Sequence, residues 1–359
     1  MFSFVRRFRG GGLCWVLLFV GVAWSPAGQP REAKKAVAPV PSPDSPERME
    51  LLKVQILLDR ANFRPGKLDG LGGEFTQKVA DRYCTANGLP AGSLLDVSGI
   101  SSPYRDYTVS EADLQQVGPQ ASGPAAQEKL KAMLYADLWE AVAERFHCDL
   151  DFLCELNPSI PREQLKVGSV VRVPDVSEFS LADVAAMEKQ RAAEEKARKE
   201  AAKAAAASPS PASAESSPTP APPARRLALL RKERLIEVYE NDRLVACFPC
   251  TPGSSKTPVP LGSWKVTSNI LLPYFRWDKS VLDSGVRSAN AFNLPPGPNN
   301  PVGIVWMSIN RPSVGMHGTP TPDQIGRNES HGCIRLSNWD AFALSQLVSK
   351  GTPVEVQDL

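Results

Sequence analysis

Histidine is scarce in this 359-residue chain, with three in all. A surplus of charge is also missing: 41 Lys and Arg stand against 39 Asp and Glu, for a net charge of +2. Nucleic-acid surfaces need a clustered basic excess, so the balance argues against that class of partner. The apolar run near the N-terminus, Leu13 to Trp24, is too short for a membrane-spanning helix, which needs about 20 residues. Asp96 to Pro124 carries no legible chemical signal. Proline, by contrast, is abundant at 33 residues and clusters, which points to linkers. The length allows two or three domains.

Basic Arg6, Arg7 and Arg9, the apolar run, and then Ser25-Pro26-Ala27 have the three-part form of a secretory signal over 1–27, cleaved after Ala27. An uncleaved anchor is the alternative. The expectation is an exported protein of the periplasm or cell wall. Residues 28–48 are too polar and proline-broken to pack and form a disordered tether.

From Leu51, apolar residues recur at helical spacing. Asn62-Phe63-Arg64-Pro65-Gly66 then turns the chain, and Thr76 can cap a second helix bearing Val79, Ala80 and Tyr83. With Leu68-Asp69-Gly70, this 49–92 segment resembles the small helical peptidoglycan-binding module, departing from it at Tyr83-Cys84. A connector, 93–128, follows. In 129–176, Tyr135 to Ala143 and Leu150 to Leu156 read as helices ended by Asn157-Pro158. Leu165 to Pro174 then reads as a turn into a strand. That βααβ pattern resembles the glycan-binding LysM module, although its usual opening strand is degraded. His147, a lone histidine here, reads as packed or surface rather than as a ligand. Residues 177–207 form a charged Ala-rich helix and 208–224 a Pro/Ser-rich linker. Together they would hold the C-terminal domain, 225–359, several nanometres from the front modules.

Two of the three histidines crowd into one short span: His317-Gly318-Thr319, then, after a polar loop, Ser330-His331-Gly332-Cys333-Ile334-Arg335. Cysteine is nucleophilic as thiolate, yet with a pKa of about 8.5 it is mostly thiol at neutral pH. A nearby imidazole is its usual activator. Gly332 and Gly318 would let a substrate backbone approach and leave amides free to hold an oxyanion. The surrounding region reads mostly as β. Leu235 to Tyr239 and Leu244 to Phe248 flank a hairpin turn at Asn241-Asp242, and Gly303 to Ile309 leads toward His317 at a strand end. Ser337 with Asp340 forms a capping box for a helix through Leu344, with Cys333 in the loop just before it.

These residues resemble the L,D-transpeptidase catalytic domain, whose signature is His-Gly-Thr, a spacer, and Ser-His-Gly-Cys followed by an aliphatic residue and Arg. The resemblance runs upstream through Pro295 to Gly303, with a Thr-Pro-x-Gly-like turn at Thr257 to Gly262, and downstream through Leu336 to Asp340. It implies a multidomain chain whose catalytic part is mainly β, sandwich-like with a short C-terminal helix. It also implies roles. Cys333 attacks the third residue of a peptidoglycan tetrapeptide stem, His317 takes its proton, and Gly318 orients the imidazole through its carbonyl. The amides of Gly332 and Cys333 hold the oxyanion, and D-alanine leaves before an amine attacks the thioester. Arg335 suits a carboxylate, and His331 and Ser330 serve substrate contact or loop shape. No metal or cofactor is needed. The implied partners are stem peptides and glycan strands, with a wall-anchored protein as one option for acyl acceptor.

Other readings of the residues stay open. Two histidines and a cysteine can hold zinc with an open position, although Arg335 would sit badly beside a cation. Cys247-x-x-Cys250 can be a redox motif, a structural disulfide or two free thiols. Cys148 and Cys154 can bridge in an oxidising exterior. With Cys333 free, at least one of the five remaining mature-chain cysteines is unpaired, Cys84 being a candidate. A wall-binding protein that has lost activity is the second function class. Within the enzyme class, cross-linking, protein anchoring and stem trimming by an L,D-carboxypeptidase all remain.

Overall fold

Two helices begin the described chain. In this computed structural model, residues 40–207, 224–254, 257–327 and 332–359 are described. The expected signal at 1–27, most of the tether, the linker up to 223, and the site residues Ser330 and His331 lie outside them. Helix α1 (Pro46–Arg60) starts where the Ser45 hydroxyl accepts from the Arg48 amide and Pro46 presets φ. Helix α2 (Glu74–Ala86) starts at Gly73, not at Thr76. Thr76 lies inside its first turn because the buried Gln55 amide, which also reaches Asp69 and Leu71, claims its hydroxyl at 3.4 Å.

Strand β1 (Tyr104–Thr108), the short helices α3 (Glu111–Leu114) and α4 (Pro124–Gln127), helices α5 (Leu138–Arg145) and α6 (Leu150–Leu156), and strand β2 (Val170–Pro174) follow. Asp137 and Asp149 cap α5 and α6. The strand that the 129–176 reading lacked is β1, about thirty residues upstream. It pairs antiparallel with β2, from Tyr104 opposite Pro174 to Thr108 opposite Val170. Helix α7 (Leu181–Ala207) follows, its first turns packed on the C-terminal core through Val184 and Met187 and residues 192–203 exposed.

The C-terminal region runs β3 (Arg225–Leu230), β4 (Leu235–Glu240), β5 (Arg243–Pro249), β6 (Thr251–Pro252), β7 (Gly262–Leu271), β8 (Phe275–Trp277), α8 (Lys279–Ser284) and β9 (Phe292–Leu294). It continues with β10 (Val305–Ile309), β11 (Gly315–His317), β12 (Ile334–Arg335), α9 (Asn338–Leu347) and β13 (Pro353–Gln357). Among the described residues nine strands form one sheet in the order β5-β4-β3-β13-β7-β10-β11-β12-β6. Asn241 and Asp242, both at positive φ, make the expected tight β4–β5 turn. The long β7 serves both halves of the sheet. Leu227, Ile236 and Phe248 from one half and Met307, Met316 and Ile334 from the other share a core with Trp339 and Leu344 of α9. The helix is therefore penultimate, because β13 returns to the middle of the sheet.

The front segments dock directly on this region instead of standing off at the end of a spacer. Arg64 N donates to Cys247 O at 2.8 Å and Cys247 N to Asn62 O at 3.0 Å, which covers the outer edge of β5. Met133 N donates to Pro296 O and Asn299 N to Met133 O. Gly297, at φ +147, is required there, since a Cβ would fall 2.2 Å from Met133 O. Cys148, Cys154, Cys247 and Cys250 are free thiols, so neither Cys148–Cys154 nor Cys247–Cys250 bridges. Cys247 packs among Leu58, Phe63 and Val79, while Cys250 belongs to the C-terminal core. Burial pushes both thiols up.

A buried charged cluster fastens the contact. The Asp59 carboxylate meets Arg64 at 2.8 Å and His147 Nδ1 at 2.9 Å, and Arg64 approaches Asp340 at 3.9 Å. The His147 ring stacks on Trp339 at 5.5 Å, so this histidine is packed. Burial alone would raise Asp59, but His147 and Arg64 hold it down to about 2, while burial lifts Asp340 to about 7. Asp59→Ala would strand Arg64 in a buried site. Removing one partner of a buried pair costs about 3–5 kcal/mol. We expect urea unfolding of the full chain to show that loss in one transition for front and C-terminal segments alike. Separate transitions, with only the front segment weakened, would contradict the docking.

Candidate active site

The chemistry concentrates where β10, β11 and β12 lie side by side. Trp306 of β10 is the direct cross-strand partner of His317 on β11, and the two rings stack at 5.3 Å and 19°. The indole can lie across β11 because residue 315 is glycine, where a Cβ would sit 2.7 Å from Trp306 Cζ2. The indole N–H is held by Ser308 Oγ at 2.7 Å, and Ser308 in turn by Ser268.

His317 is 4% exposed, and its Nδ1 lies 2.7 Å from Gly318 O. A carbonyl can only accept, so Nδ1 carries the proton and Nε2 is the bare, basic nitrogen. Burial, with the Arg335 charge added, depresses the ring to about 4, although the Gly318 bond works the other way. The imidazole is therefore neutral at neutral pH.

Strands β11 and β12 are parallel, with Met316 opposite Ile334 and His317 opposite Arg335. One residue back, the same register sets Cys333 against Gly315. The Gly315 amide acts on the sulfur, which also lies 3.6 Å from Ser313 O. Residues two apart on a strand share a face, and opposite residues of a parallel pair do too. Arg335 thus lies on the face of His317, and Cys333 stands two residues before it in the bend that leads into β12. Burial pushes the Cys333 thiol up, against the pull of the Gly315 amide and the Arg335 cation. Burial lowers Arg335 and the cysteine raises it.

Gly332 has φ +101, a conformation that strains any other residue. Gly253 N donates to Cys333 O at 3.2 Å and fixes the peptide after the nucleophile. The edge strand β6 pairs with β12, Thr251 opposite Arg335. Alongside it lies a cavity of about 360 Å³ lined by Thr251, Pro252, Gly253, the cations Arg231, Lys232, Arg234 and Arg327, and Asp358, which pairs with Arg231 and Lys232. A neutral base, a thiol and a nearby fixed cation gathered at these paired strands suit proton transfer from sulfur as it attacks a carbonyl.

The structure thus brings together Cys333, His317, Gly318, Gly332 and Arg335. The sequence reading missed Trp306, Gly315 and Asn338. An unexplained glycine inside a strand, as at Gly315, is a sign of close approach and could have flagged the ring above it. Ser337 accepts from Asp340 N at 3.2 Å and starts α9 as expected, but the Asp340 carboxylate faces Arg64.

Residues 225–356 match the family model YkuD, described as the L,D-transpeptidase catalytic domain. A protein of Bacillus licheniformis that carries the name L,D-transpeptidase YkuD is 30% identical over 131 residues, 36% of this chain and 64% of its own length. The YkuD protein of Bacillus subtilis is 28% identical over 116 residues, 32% of this chain and 56% of its own. The chain therefore spans less than two thirds of these relatives. Among solved structures, the L,D-transpeptidase from Mycobacterium smegmatis overlaps 38% of this chain and 59% of that one, at 21% identity and a TM-score of 0.31. Residues 225–356 of this chain are an L,D-transpeptidase catalytic domain.

Proposed function

We propose that this is an exported L,D-transpeptidase that uses Cys333 to cut and rejoin peptidoglycan stem peptides. The observation that carries the reading is a neutral imidazole, tautomer fixed by Gly318 O, on the strand that pairs with the one Cys333 leads into, inside the matched domain. The signal-like 1–27 supports export, and the cationic cavity beside β6 suits a substrate rich in carboxylates.

The steps follow from the resting protonation states. Cys333 Sγ attacks the carbonyl of the third stem residue while His317 Nε2 takes the thiol proton. The amides of Gly332 and Cys333 receive the oxyanion, a contribution of about 3–4 kcal/mol per donor where it has been measured. The tetrahedral intermediate expels D-alanine, whose amine takes the proton from His317, leaving a thioester. An acceptor amine attacks the thioester, passes its proton to His317, and the thiol is restored. Arg335 supports the sulfur as negative charge develops. The acceptor is an amine of another stem or of a wall-anchored protein; water in its place would make the enzyme an L,D-carboxypeptidase.

Because the folded thiol is raised and the imidazole lowered, no thiolate–imidazolium pair is stored in the free enzyme. Alkylation of Cys333 by iodoacetamide should then climb close to tenfold per pH unit from pH 7 to 9; a plateau reached near pH 5 or 6 would show a preformed ion pair. Incubated with a tetrapeptide muropeptide, the full chain should gain the mass of the tripeptide acyl group on Cys333. His317→Ala should slow that step about 10²-fold or more, in the range of a lost general base. No adduct with wild type, or an equal one with Cys333→Ala, would leave the wall-binding, non-catalytic reading in its place.

A further inference from the structure

One buried hydrogen-bond relay enters the site from outside the matched domain. Glu144, on α5 of the front segment, is 4% exposed, and its carboxyl receives Tyr135 Oη at 2.8 Å and Asn338 Nδ2 at 3.0 and 3.2 Å. Asn338, the first residue of α9, is fully buried; its Nδ2 also reaches Pro298 O at 3.1 Å. The Ile304 amide, which can only donate, reaches Asn338 Oδ1 at 3.3 Å. That oxygen is wedged between two glycine backbones. A Cβ on Gly303, at φ +59, would lie 2.0 Å from it, and one on Gly318 would lie 2.3 Å away. The Gly318 carbonyl is the group that accepts the His317 Nδ1–H.

We propose that Glu144 is a positioning residue for His317: by holding the Asn338 amide with its NH2 toward the front segment, it fixes the Gly318 peptide that orients the imidazole. This rests on the reading of His317 as the base. Without an acceptor at 144 the Asn338 amide keeps its sense through the Ile304 N–H and Pro298 O but loses its bonds to the Glu144 carboxyl, so the oxygen wedged against Gly318 is held less firmly. Simple packing does not account for the residue. An apolar side chain would fill the space without burying a carboxyl, which burial lifts to about 8. The front segment would then be part of the catalytic apparatus and not only a wall-binding attachment.

The test compares Glu144→Gln, which keeps shape and an acceptor, with Glu144→Met, which keeps shape alone, in the full chain. The Gln variant should stay within about threefold of wild type. The Met variant should lose at least tenfold in kcat with KM within about twofold. With three histidines, the His317 Nδ1–H resonance can be followed by 15N-histidine NMR without substrate, and Met at 144 should broaden or shift it while Gln does not. An unchanged resonance and kcat in the Met variant would overturn the proposal, as would equal losses in both variants that track melting temperature. Should the Met variant not fold, Tyr135→Phe takes its place. It removes a donor to Glu144 and should shift the same resonance, and no shift would count against the relay. If wild type forms no acyl adduct the transpeptidase reading fails, yet the resonance comparison still decides the positioning role.

Discussion

The 2.7 Å bond from His317 Nδ1 to the Gly318 carbonyl is the constraint on which the site depends. It ties the ring to its own neighbour's peptide, so the tautomer is set by backbone geometry and no carboxylate is needed. A carboxylate there would favour imidazolium, whereas a carbonyl in a buried setting leaves the ring neutral and weakly basic. The Arg335 cation works the same way, since it disfavours a second positive charge beside it and favours negative charge on sulfur. The outcome is an uncharged resting pair whose proton moves only when a carbonyl is there to accept the sulfur.

Everything near that bond is arranged around backbone proximity. Gly315 makes room for the indole that stacks on His317, and Gly303 and Gly318 make room for the Asn338 amide, so the backbone comes close at these three points. Such close approach leaves little slack for the histidine. It also explains why α9 is gripped from the far side. Trp339 lies under His147, Asp340 faces Arg64 and Asn338 bonds Glu144, so three successive residues at the start of the helix meet the front segment.

That docking changes the meaning of the front of the chain. Helices α1 and α2 and the turn between them bury Leu58, Phe63 and Val79 together with Leu235 and Cys247 of the sheet. Covering β5 also removes an exposed edge from a nine-stranded sheet. The Cys247-x-x-Cys250 spacing, which invites a redox reading, is explained by two thiols packed into two different cores.

The sequence by itself determined the reactive residues and the local elements. Cys333 between a glycine and a β-branched residue, His317 at a strand end, the Asn241-Asp242 turn and the Ser337 cap are all legible because each depends on neighbours a few residues away. It did not reveal that Tyr104 to Thr108 completes the β1–β2 pair. That strand is short and half polar, and only its partner β2, more than sixty residues later, makes it a strand. It also misassigned Thr76, whose hydroxyl is claimed by Gln55 across α1. The tertiary structure alone decided that His317 is neutral, that the thiol is raised, that the cysteines stay unbridged and that Glu144 reaches the site. Each of these depends on burial and on contacts between distant segments, and burial belongs to the assembled chain, not to any window of its sequence.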